Sequence, residues 1–121
     1  MGGIYQAAAL RRAEASFIAT ALEELLPPIR EVARSCGYAI AVHGSLARDI
    51  DLIACPWREG ASEPDELVAA IVGVVAGVFG RCRQNGDAGN KPHGRRAYTL
   101  IHAGHIGEID LSVMPRIGAV S

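Results

Sequence analysis

The chain has 121 residues, enough for one domain with a real core and too few for two. Half of them (50%) are hydrophobic and 21% are charged, which argues against a disordered tail or a fibrous protein. The formal net charge of −1 gives no global attraction to nucleic acid or anionic membrane, so any affinity for phosphate must be local.

The three cysteines, Cys36, Cys55 and Cys82, show no C-x-x-C pairing. Neither a disulfide framework nor a cysteine zinc site is expected, and a reducing cytoplasm is. Met1-Gly2-Gly3-Ile4 does not open a secretion signal, and Leu67 to Phe79 is too short to span a bilayer. No membrane partner is expected.

From Gln6 to Leu26, apolar residues recur at Leu10, Ala13, Phe17, Ala21 and Leu25. Spacings of three and four predict an amphipathic helix with this stripe on the core. Pro27-Pro28 is expected to break it and to open a second helix carrying Ile29, Val32, Ala33 and Cys36, ended by Gly37. The period then changes to two: Tyr38, Ile40 and Val42 alternate with Ala39, Ala41 and His43, a strand. Gly44 to Arg48 interrupts it, and Asp49 to Cys55 resumes as a second strand. Pro56 to Pro64 is a loop, in which Ser62 with Asp65 resembles a capping box. Asp65 to Phe79 is expected to be a helix apolar nearly all round, with Gly73 and Gly77 open to close approach by a neighbouring subunit. Arg81 to Gly94 is expected to be a mobile, glycine-rich loop. Two strands, Arg95 to His102 and Gly107 to Met114, finish the chain. The order α-α-β-β-α-β-β predicts an α+β fold, a small mixed sheet packed on helices. One domain over 1–121 is expected, with a helical lead over 1–37 and a catalytic core over 38–115.

The chemistry is carried by carboxylates. In Asp49-Ile50-Asp51-Leu52 the strand period puts both aspartates on one face and the two apolar residues on the other. Two like charges held so close repel unless a cation lies between them, and hard oxygen donors suit Mg²⁺ or Mn²⁺. In the last strand Glu108, Asp110 and Ser112 oppose Ile109, Leu111 and Val113. If the two strands are neighbours, Asp110 joins the pair and completes the carboxylate set of a two-metal phosphoryl-transfer site. Gly44-Ser45 ends the preceding strand, where exposed N–H groups and a hydroxyl suit phosphate.

The string His43-Gly44-Ser45-Leu46-Ala47-Arg48-Asp49-Ile50-Asp51-Leu52, followed by Ile109-Asp110-Leu111, resembles the signature of the polymerase-β-type nucleotidyltransferase superfamily. With Lys91-Pro92-His93-Gly94-Arg95 and Ile109 to Pro115, the likeness is nearest to small nucleotidyltransferase-like proteins of phages and prophages. It covers roughly Tyr38 to Pro115. The resemblance implies that Gly44 and Ser45 contact the triphosphate, that Asp49 and Asp51 bind both metals, and that Asp110 completes the catalytic metal site. The implied reaction moves a nucleoside monophosphate from a nucleoside triphosphate to a hydroxyl on nucleic acid, protein or a small molecule. Only Leu46, Ala47 and Arg48 separate Ser45 from Asp49, fewer than the superfamily usually places there. The chain also has none of the added second domain of the larger enzymes, which leaves room for a homodimer to complete the core.

Arg81, Arg83, Lys91, Arg95 and Arg96 face a single acid, Asp87, in a local basic patch. Lys91, His93 and Arg95 in this patch, and Arg48 in the turn, are candidates for holding the triphosphate tail. His43 precedes Gly44 and is placed to hydrogen-bond within the site. His102 and His105 match no metal-ligand spacing. Two other readings of the same carboxylates stand beside transfer: a non-catalytic nucleotide- or metal-binding protein of the same fold, and a two-metal phosphohydrolase or nuclease.

Overall fold

The computed structural model describes residues 3–44, 49–103 and 107–117. It is α+β, a mixed sheet with its helices packed on one face. The first element, α1, runs from Gly3 to Cys36 as one helix with Pro27 and Pro28 inside it. The expected break does not occur, and the reason is packing. Each interior proline costs a helix about 3 kcal/mol through its missing N–H and its ring clash. Leu25, Ile29 and Ala33 are nearly inaccessible on both sides of the pair. Burial of each large one contributes about 1.5–3 kcal/mol, which offsets much of that cost.

At a rise of about 1.5 Å per residue the helix is about 50 Å long. The seven-residue strands beneath it span about half that. The helix therefore outruns its support. Ile18, Ala21, Leu25, Ile29 and Ala33 form the buried row, whereas Leu10 and Phe17 remain 60% and 61% exposed. The expected core stripe holds from Ala21 onward but not at Leu10, Ala13 and Phe17, which are exposed, and Ile18 rather than Phe17 takes the buried side.

β1 (Tyr38–His43) and β2 (Ile50–Pro56) form an antiparallel hairpin. α2 (Pro64–Phe79) follows and buries Leu67, Val68, Ile71 and Val75. Its N-cap is Glu63, with no side-chain cap hydrogen bond, so the expected Ser62–Asp65 capping box does not form. Other partners take these groups: the Ser62 backbone N–H donates to Cys36 O at 2.8 Å and the Tyr98 hydroxyl to Asp65 Oδ1 at 3.0 Å. Gly73 and Gly77 lie exposed, with no other part of the described chain against them.

The region expected to be a mobile loop contains β3 (Cys82–Gln84) and β4 (Gly89–Asn90), both antiparallel to β5 (Arg96–His102). So short a strand needs no long apolar run. Cys82 and Ala88 lean on the core, and backbone pairing does the rest. A 3-10 turn at Pro92–Gly94 precedes β5, and His93 adopts φ 65 within it. β6 (Ile109–Val113) pairs antiparallel with β5 and parallel with β2, giving the order β1-β2-β6-β5-β3.

Strand periodicity sorts the two faces. Ile40, Ile50, Leu52, Ala54, Tyr98, Leu100, Ile109, Leu111 and Val113 meet the helices and form the core. The opposite face carries the polar residues and has no helix on it. No helix among the described residues is long and apolar enough to cross a membrane.

Candidate active site

Two register pairs place the acids. Asp51 on β2 lies beside Asp110 on the parallel β6, and His43 on β1 lies opposite Asp51. Thr99 on β5 lies opposite Asp110. One row across the open face therefore reads His43, Asp51, Asp110, Thr99, on strands about 4.8 Å apart. The local reason is alternation: Ile50, Leu52, Ile109 and Leu111 are drawn into the core, which turns the intervening aspartates outward.

Asp110 is half-buried, and its carboxyl is pushed above the usual carboxylate range. Burial is the main cause, followed by the charges of Asp49, Asp51 and Glu108; the Thr99 hydroxyl, 3.4 Å from Asp110 Oδ1, pulls the other way. The acids thus share one electrostatic neighbourhood. Asp49 holds a second job, because its Oδ1 accepts the Glu108 backbone N–H at 2.9 Å while the Ile50 N–H donates to Glu108 O at 3.0 Å. These bonds tie the start of β2 to the start of β6. Among the described residues no group of three His, Cys, Asp or Glu side chains stands ready to hold a metal ion. The donor chemistry still fits a hard divalent cation: carboxylates on neighbouring strands, whose mutual repulsion adds to burial in raising Asp110.

The raised Asp110 has a consequence for stability. Its neutral form favours the fold, a contribution present below the ordinary carboxylate range and lost as pH rises through the raised value. In EDTA, stability should therefore fall as pH rises through that interval. Asp110→Asn should remove this fall and melt a few degrees higher at neutral pH, as pH-dependent thermal denaturation would record. A variant no more stable than the parent at pH 7 would contradict the repulsion.

Gly44 closes the row at the end of β1. Its φ is +79, and a Cβ built there would lie 2.5 Å from Asp51 Oδ2. Only glycine lets the backbone come so close to this carboxylate. Gly44→Ala should displace Asp51, cost about 1 kcal/mol in backbone strain alone, and lower any metal-dependent activity far more than it lowers stability. Urea denaturation and turnover measured on one preparation would separate the two effects.

The basic candidates divide. The Arg95 Nη1 reaches Ser112 Oγ at 3.3 Å, one step along β6 from Asp110 on the same face. Arg96 faces the other way, its guanidinium 5.7 Å from the centre of the Tyr98 ring. Lys91 and His93 are exposed on the turn before β5, and no hydrogen bond or ion pair joins them to the acids. The patch expected over Arg81 to Arg96 is thus spread over two faces. His102 stacks on Phe79 at 5.0 Å and pairs through Nε2 with Gly107 O at 2.9 Å. Ser45, Arg48 and His105 lie outside the described residues.

Thr99 joined the row without being anticipated, and Glu108 stands near it, two residues before Asp110. Thr99 has no motif around it, and only strand order brings it to Asp110. Glu108 shares the parity of Asp110, the one signal that pointed toward it.

Comparison with known proteins gives a fold likeness. The fold is similar to that of a poly(U) polymerase. The solved structure is the Cid1 enzyme with MgGTP bound, matched at a TM-score of 0.50 and 14% identity over 84% of this chain. The chain spans 32% of the length of the Cid1 structure. No family model and no curated protein matches the sequence.

Proposed function

We propose that the chain is a metal-dependent nucleotidyltransferase that moves a nucleoside monophosphate from a nucleoside triphosphate to a hydroxyl acceptor. The observation that carries this reading is the Asp51–Asp110 register on the open sheet face. The fold likeness to Cid1, whose structure holds MgGTP, supports it. The resemblance to small phage-encoded proteins rests only on the strings from Lys91 to Arg95 and from Ile109 to Pro115.

Asp49, Asp51 and Asp110 would hold Mg²⁺ or Mn²⁺, which supplies charge neutralisation for the triphosphate and lowers the pKa of the attacking hydroxyl. The hydroxyl oxygen forms a bond to the α-phosphorus, the bond to the bridging α–β oxygen breaks, and pyrophosphate leaves. The Gly44 backbone leaves room for phosphate beside Asp51, and Thr99 orients Asp110. Arg95 is the basic side chain best placed to take negative charge along the open face, with Ser45, Arg48, Lys91 and His93 as further contacts to the triphosphate tail. The reacting hydroxyl belongs to nucleic acid, protein or a small molecule, and a homodimer is the proposed assembly. Three cysteines without disulfides fit a cytoplasmic location.

One observation favours a second reading, a non-catalytic binding protein. Asp49 is already engaged by the Glu108 N–H, and no three-carboxylate cluster is preformed among the described residues. The two are separated by incubating the protein with each α-labelled nucleoside triphosphate, Mg²⁺ or Mn²⁺, and acceptors of the three classes. Label appearing on an acceptor supports transfer. Triphosphate-dependent stabilisation without turnover supports binding alone, and release of labelled product without transfer points to hydrolysis.

A further inference from the structure

Away from the acids, at the opposite end of the β1–β2 hairpin, a recess of about 300 Å³ is lined by Arg30, Arg34, Tyr38, Ala39, Ile40 and Trp57. The strand from Asp51 to Trp57 covers about 20 Å, so the recess stands apart from the site described above. Arg30 and Arg34 are one turn apart on α1 and both exposed, an arrangement in which like charges repel. Among the described residues the ion pair is Arg116 with Glu63 at 2.7 Å, and no carboxylate pairs with either arginine of the recess. Arg30 donates through Nε and Nη2 to Ile40 O at 3.4 and 3.3 Å, which covers part of the free edge of β1. The Arg34 guanidinium has no hydrogen-bond partner among the described residues, although its backbone carbonyl accepts the Gly37 N–H at 3.0 Å.

Beside them Trp57 is 52% exposed. The Arg58 guanidinium lies 5.4 Å from its ring centre and is itself fixed by bonds to Gly60 O and Ser35 O, both at 3.2 Å. The guanidinium thus packs against the indole ring. Guanidiniums without a carboxylate partner next to an exposed aromatic ring match what a single strand presents: phosphates for the arginines and a base to stack on the ring. An acidic peptide would satisfy the arginines and leave the ring unused.

We infer that this recess binds single-stranded nucleic acid, with phosphate on Arg30 and Arg34 and a base on Trp57. The net charge of −1 makes the attraction local, and binding depends on salt through these few contacts. The site stands whether or not the acids transfer nucleotides, because its readout is binding.

Trp57 is the sole tryptophan, so its emission reports directly on the recess. The full chain is titrated with an oligouridylate of about twelve nucleotides, following Trp57 emission, and in parallel with a fluorescein-labelled oligonucleotide by anisotropy. Saturable quenching is expected. Arg34→Gln, Arg34→Glu and Trp57→Ala should each weaken anisotropy-detected binding at least about fivefold. Arg34→Glu should also reduce the salt slope by about 0.7. Arg11→Gln, about 35 Å from Arg34 along the same helix, should bind as the parent does. Thermal melting of each variant confirms that it folds. Binding without a change in Trp57 emission, unaltered affinity in both Arg34 variants, equal affinity for uridine monophosphate, or equal quenching by polyglutamate would each overturn the inference.

Discussion

Asp51→Asn is expected to lower nucleotidyl transfer by about a thousandfold or more. The substitution keeps the shape of the side chain and removes its charge, so the backbone of β2 has no reason to move. Asp51 sits mid-row, beside Asp110 and opposite His43, with Gly44 pressed against its carboxylate. A ligand there contributes several kcal/mol of charge stabilisation, and each 1.36 kcal/mol is about a factor of ten in rate. Label transfer from the α-labelled triphosphate measures the loss. A melting curve with and without Mg²⁺ provides the control: the parent gains stability from the cation, and Asp51→Asn gains less. Transfer within tenfold of the parent would show that Asp51 is not at the reacting centre.

Leu111→Ala should destabilise the fold by about 2–5 kcal/mol, the cost of lost transfer free energy plus a cavity that the sheet cannot fill. Leu111 is 1% exposed and stands on the central strand, between Leu52 of β2 and Tyr98 of β5. For a chain this long, that loss lowers the melting temperature by about 8–20 °C. The neighbouring Asp110 depends on this anchor for its outward direction, so weaker metal-induced stabilisation should accompany the lower melting point. Ile53→Ala on the open face provides the contrast, since that residue is only partly buried and has no helix above it. A loss below about 1 kcal/mol for Leu111→Ala would mean that the core closes over the gap.

Much of this architecture is legible in the amino acids. Period two in Tyr38 to His43, in Asp49 to Cys55 and in the last strand names both the strands and the faces their aspartates occupy, because burial of isoleucine and leucine leaves no alternative. The helix from Pro64 to Phe79 follows from its apolar run. The errors fall where a local signal competes with packing or length. Pro27 and Pro28 do not end α1, because Leu25, Ile29 and Ala33 hold the helix to the core across them. Ser62 does not cap α2, because its backbone N–H donates to Cys36 O and the Asp65 carboxylate accepts the Tyr98 hydroxyl. The glycine-rich segment after Phe79 forms β3 and β4, because edge strands of two and three residues need little hydrophobicity.

By itself, then, the sequence determined that Asp51 and Asp110 each lie on the outward face of a strand, since alternation is a property of the chain alone. Only the tertiary structure decided that these strands are parallel neighbours in register and that Thr99 flanks Asp110. It also assembled the recess of Arg30, Arg34 and Trp57, residues far apart in the chain. Strand order and register are set by how the helices cover the sheet, a long-range balance that no local spacing records.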